Sequence, residues 1–138
     1  MRKRTRARKI VMDVLYHLEI EECSVEGALH PYVEELESAG IKEFVDSEIE
    51  GIITHKKELD KMLDESAEGW SISRMPVLDR NILRIGLYEI LYDRDIPDSV
   101  SINEAVEMAN MYSTEDSGRF VNGILGRLVK DLNKTVGG

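Results

Sequence analysis

The stretch Pro76 to Tyr92, PVLDRNILRIGLYEILY, constrains the chain most, because its apolar residues do not fall on one stripe. At about 100° per residue, Leu78, Ile82, Leu83, Ile85, Leu87, Tyr88, Ile90 and Leu91 cover nearly the whole circumference of a helix. A helix that is apolar all round has to be enclosed by others. Only Asp79, Arg80, Asn81, Arg84 and Glu89 interrupt that surface. The stretch therefore reads as the central helix of an all-α domain, and the remaining chain as its packing layers.

The flanking segments carry the expected amphipathic stripes. Ala7, Ile10, Val11, Val14, Leu15 and Leu18 recur at three and four and predict a helix of about four turns. Ser24 is suited to cap the next helix. Ala28, Leu29, Tyr32, Val33 and Leu36 keep helical spacing across Pro31, which predicts a start there or two short pieces, and Gly40 predicts a stop. Ile41 to about Glu65 form a long pattern with room for a break near Gly51 or in Thr54 to Glu58. Trp70, after Gly69, is placed to cover the end of the central helix. Asp93 to Asp98 read as a turn, Ser101-Ile102-Asn103-Glu104 has the form of a capping box, and Val121, Ile124, Leu125, Leu128, Val129 and Leu132 stripe a last helix. No segment alternates as a strand would.

With 138 residues the chain fits one domain, residues 1–138, able to bury roughly two thirds of its unfolded surface without staples. The single Cys23 cannot form an internal disulfide, and no Cys/His spacing suits a metal. A reducing, cytoplasmic home is expected. No apolar run reaches the roughly 18 residues a membrane span needs, and the basic start lacks a signal-peptide pattern.

Charge is unevenly distributed. Residues 1–9, a basic N-terminal arm, hold Arg2, Lys3, Arg4, Arg6, Arg8 and Lys9, six of the 18 Lys and Arg and none of the acids. The rest carries twelve basic against 27 acidic residues. One surface thus suits a polyanion and others a basic protein; a stray basic end on an acidic domain is the plainer alternative. Cations at a helix start oppose its dipole, a penalty that a ligand phosphate reverses. If the helix extends back, Arg4 with Arg8 and Arg2 with Arg6 form rows able to grip phosphates bidentately.

Catalytic signals are missing. His17, His30 and His55 fall on separate segments, and the sequence has no Gly-rich phosphate loop, nucleophile elbow or H-E-x-x-H. The reading is therefore a non-enzyme without cofactor or metal. The last helix holds an anomaly instead. Phe120 lies at the edge of the apolar stripe, with Arg119 and Asn122 on its flanks and Gly123 and Gly126 on the polar side. Such a trio can stack on and bond an unpaired base; equally, a border aromatic can be core, and helix glycines can serve close packing.

In order and spacing, the Arg-rich start Arg4 to Arg8, Val14-Leu15-Tyr16, Trp70, Leu78-Asp79-Arg80-Asn81-Ile82-Leu83-Arg84, Tyr88-Glu89, Asp95-Ile96-Pro97, Ile102-Asn103-Glu104-Ala105 and Phe120-Val121-Asn122-Gly123-Ile124-Leu125 resemble the NusB family. The resemblance spans nearly the whole chain. It implies about seven helices in two small bundles around the central helix, and a transcription antitermination factor. In that family the factor binds boxA-type single-stranded RNA of ribosomal RNA operons with NusE, a small-subunit ribosomal protein, within an RNA polymerase antitermination complex. It further implies phosphate contacts by Arg2, Lys3, Arg4, Arg6 and Arg8. Base-side contacts fall to Phe120 and Asn122, with Arg119 nearby. Tyr16 and Asp79 match positions facing NusE, and Asp116 one where family activity is adjustable. Some members self-associate as homodimers. A NusB-like domain also begins certain ribosomal RNA methyltransferases, whose catalytic unit this sequence does not resemble; a stand-alone factor is expected. A helical protein adaptor that binds no RNA is the alternative from another class.

Overall fold

The computed structural model describes residues 2–67 and 69–137, with side chains for 3–67 and 69–133. Every regular element among them is helical: α1 Arg2–Ile20, α2 Val25–Leu29, a 3-10 turn His30–Tyr32, α3 Val33–Ser38, α4 Lys42–Thr54, α5 Lys56–Ser66, a 3-10 turn Ile72–Arg74, α6 Val77–Tyr92, α7 Asp98–Tyr112 and α8 Glu115–Gly137. Pro31 splits the second helical region into α2 and α3, as a residue without an amide hydrogen should. Ser24 caps α2, its hydroxyl accepting from the Gly27 amide at 3.0 Å. Gly40 ends the pair with φ +67°.

Helix α6 packs against α1, α4, α5, α7 and α8, which is why it needs an apolar surface on every side. Its Ile82, Leu83, Ile85 and Leu87 are at most 1% exposed and join a core shared with Ile10, Val14, Val45, Ile49, Leu59, Leu63, Ala109, Val121 and Leu125. Gly51 does not bend α4. A β-carbon there would lie 2.2 Å from the Tyr88 ring, so the glycine lets α6 lie close. The break in the long pattern comes at His55, between α4 and α5.

The polar residues of α6 also face inward, and between them they reach α1, α5, α7 and the start of α8. Asp79 accepts from Ser113 at 2.7 Å and from Ser117 at 3.0 Å. Arg84 binds Asp60 of α5 through two nitrogens at 2.7 and 2.9 Å, and Glu19 of α1 at 2.8 Å. Arg80 also reaches Glu19. Burial pushes the Glu19 carboxyl up, but the bonds from Arg80 and Arg84 outweigh it and hold the group below its ordinary value. Glu89 takes Arg8 of α1 and the Ser101 hydroxyl of α7. Because buried charges need partners, these pairs fix which helix lies on which side. Ser101 is therefore not a cap: α7 starts earlier, with Pro97 at the capping position, and Ser101 is buried.

Candidate nucleic-acid interface

The basic start is helical from Arg2, so its cations are fixed at intervals along α1. The side chain of Arg2 lies outside the described residues. Lys3 and Arg4 are exposed, and the Arg4 guanidinium rests 4.8 Å from the centre of the Phe44 ring. Arg6 is a half-exposed cation gripping Glu35 with two nitrogens at 2.6 and 2.9 Å. That hydrogen bonding holds the Glu35 carboxyl below its ordinary value and raises Arg6. Lys9 turns to Asp13 at 2.5 Å. Asp13 also accepts from the Tyr32 hydroxyl, which burial and this bond push up to about 12.

Arg8 departs from the expected row of phosphate contacts. Its side chain is 2% exposed, with Nε and Nη2 donating to the two Glu89 oxygens at 2.7 and 2.9 Å and Nη1 donating to Glu104 at 2.8 Å. A guanidinium so enclosed cannot reach a phosphate without abandoning a buried carboxylate. The signal was present in the spacing: Arg8 lies three, four and seven residues before Val11, Met12 and Leu15, all buried, so it shares their stripe. Beside this pair sits Glu48 of α4, 2% exposed with neither carboxyl oxygen bonded. Burial, then the adjacent Glu89, push its carboxyl well above the ordinary range.

On α8, Arg119 and Asn122 are exposed and Phe120 is half-buried, packed on the edge of the core. Gly123 and Gly126 are not packing glycines: a β-carbon on either meets nothing within 4 Å. Phe120, Asp79 and Asp116 come together around one concavity of about 300 Å³, to which Trp70, Met75, Pro76, Ser113, Thr114 and Ser117 also contribute. Asp79, expected to face a protein partner, is 5% exposed and committed to its two serines. Trp70 does not seal the end of α6 but stands 55% exposed on the rim of this pocket. Sequence reasoning missed it as a site residue; its signal was a lone tryptophan in a Gly-Trp-Ser connection, where no stripe demands burial. Tyr16 is half-buried, edge-on to His17 with ring centres 5.6 Å apart.

Among the described residues, no group of His, Cys, Asp or Glu side chains is arranged to hold a metal, and no helix is long and apolar enough to cross a membrane. His55 is stacked 4.2 Å from Tyr92, and His17 lies 3.4 Å from Glu21.

Fold and site together define an all-helical protein with an outward cationic helix start and an open aromatic pocket. Residues 5–130 match the NusB family, and the chain belongs to it. It is 43% identical over 131 residues to the transcription antitermination protein NusB of Desulfitobacterium hafniense, covering 93% of this chain and 88% of that one. The structure matches T. maritima NusB with a TM-score of 0.82 at 39% identity, over 92% of this chain and 90% of that one. A second match, at a TM-score of 0.81 and 26% identity over 95% and 98%, is to the antitermination factors NusB and NusE in complex with double-stranded RNA.

Proposed function

We propose that this protein is a transcription antitermination factor that binds boxA-type single-stranded RNA together with NusE in ribosomal RNA operon transcription. The observation that carries the reading is the outward cationic face of α1, Lys3, Arg4 and Arg6, in a chain of the NusB family. These residues, with Arg2, supply phosphate contacts that position the RNA, while Phe120 and Asn122, with Arg119 beside them, meet bases and specify it. Arg8 serves the site indirectly, by holding α1 to α6 and α7.

The strongly acidic remainder of the chain favours a basic ribosomal protein as partner, with Tyr16 and Asp116 on the docking side and Asp79 supporting α8 from within. The protein acts as one domain in the cytoplasm. It carries out no chemical step and joins the polymerase-bound complex through RNA and NusE.

A salt titration of binding to a short boxA RNA and to a scrambled one, with and without NusE, tests the reading. Tighter binding to boxA, strengthened by NusE and weakening linearly in log-log with salt, is expected. Equal weak binding to both RNAs, unaffected by NusE, would favour the protein-adaptor alternative.

A further inference from the structure

The cations of α1 differ in what already holds them. Arg8 is buried, with three bonds to two carboxylates. Lys3 and Arg4 are exposed. Arg6 is the intermediate case, open to solvent and yet engaged. Its Nε and Nη2 donate to the two oxygens of Glu35, in the first turn of α3, at 2.6 and 2.9 Å, and the two side chains are 43% and 37% exposed. This is the two-point geometry in which a guanidinium takes a phosphate, so the carboxylate stands where two phosphate oxygens would go. The Arg6 guanidinium also lies 5.8 Å from the centre of the Tyr32 ring, and that ring is fixed by its hydroxyl donating to Asp13 at 2.5 Å. The ring contact does not involve Glu35 and remains when one anion replaces another.

An ion pair in solvent shifts an equilibrium only roughly two- to fivefold, because water and salt compete for both charges. A strand phosphate offers the guanidinium the same acceptors, and the counterions it sheds favour the exchange. Lys3, three residues before Arg6, is its neighbour on the helix surface, so a phosphate at Arg6 lies beside a second exposed cation. We infer that Glu35 is a built-in competitor of the RNA: it occupies the Arg6 guanidinium in the free protein, and binding replaces it with a backbone phosphate. Helix α3 thereby sets the affinity of the basic arm without touching a base. The exchange swaps one hydrogen-bond acceptor for another, and Glu35, already in contact with solvent, is released into water. Arg8 cannot make the same exchange, because Glu89 would be left buried without its cation. The inference rests on the RNA-binding reading and adds to it a residue that opposes binding.

The test measures the affinity of the full chain for a labelled short boxA RNA and a scrambled one at fixed salt, by anisotropy of the label. Glu35→Gln removes the competing charge and should tighten both RNAs by the same factor, roughly two- to fivefold, since a phosphate carries no sequence. Glu34→Gln makes the same change one residue away, at an exposed carboxylate, and should leave affinity nearly unchanged because salt screens it. In an Arg6→Gln background the gain from Glu35→Gln should vanish, since the coupling runs through that one pair. The melting temperature of Glu35→Gln should stay near the parent's, the pair being exposed. Unchanged or weakened affinity in Glu35→Gln, an equal gain in Glu34→Gln, a gain confined to boxA, or one that survives in the Arg6→Gln background overturns the competition and leaves the RNA-binding reading standing. If the parent binds neither RNA at low salt, both are overturned.

Discussion

Arg4 and Arg8 stand one turn apart on the same helix and meet opposite fates. Arg4 is in solvent, leaning on Phe44. Arg8 is enclosed at 2% exposure between Glu89 and Glu104, with its guanidinium 5.4 Å from the centre of the same ring. One region holds charge in water, where salt screens it and a phosphate can displace counterions. The other holds charge in the core, where it is worth keeping only while every partner stays in place. A basic run therefore contains two kinds of cation, and only the outward kind belongs to the ligand.

The largest effect is expected at Arg8. Arg8→Ala leaves Glu89 buried without its cation, and should cost about 3–5 kcal/mol, read as a lowered denaturation midpoint at unchanged slope. A loss below about 1 kcal/mol would mean the pair is not a structural clamp. Phe120→Ala should lower RNA affinity by about 1–3 kcal/mol, with helical circular dichroism retained; unchanged affinity would remove Phe120 from the site.

Glu48 sharpens the buried side through pH. Its folded-state value is raised, so the folded protein binds a proton there that the unfolded chain has lost. The resulting stability is fully present below the ordinary carboxylate range and is lost as pH climbs to the raised value. Glu48→Gln should abolish that share of the fall, so its advantage over the parent grows with pH by on the order of 1 kcal/mol in melts at pH 5 and 8. Parallel pH profiles would contradict the assignment. The smallest effect is expected on the open side. Gly123→Ala meets no atom within 4 Å and should stabilise α8 by up to about 1 kcal/mol, while any loss of RNA affinity would mark close approach of the ligand backbone.

Much of this architecture was legible in the sequence, because it rests on periodicity. The central helix announced itself by lacking a polar face, Pro31 and Gly40 by their backbone limits, and α8 by a clean stripe. The capping box at Ser101 misled because its side chain was needed by Glu89, a contact twelve residues away that no local pattern contains. The site was half legible for the same reason. Arg119, Phe120 and Asn122 are neighbours in sequence, whereas the pocket joins Trp70 and Asp79 to α8 across the fold. Asp79 was placed toward a protein partner by the family resemblance, and its burial was not legible because its serine partners lie more than thirty residues away.

The most direct test of the division between the two arginines is the salt dependence of boxA RNA binding by Arg4→Gln and Arg8→Gln, measured below the melting point of each. Arg4→Gln should show a log-log slope shallower by about 0.7, one phosphate contact on a single strand, with an unchanged melting temperature. Arg8→Gln should keep the parent's slope and melt at a lower temperature. A shallower slope for Arg8→Gln with stability intact would contradict that division, and would place Arg8 on the RNA.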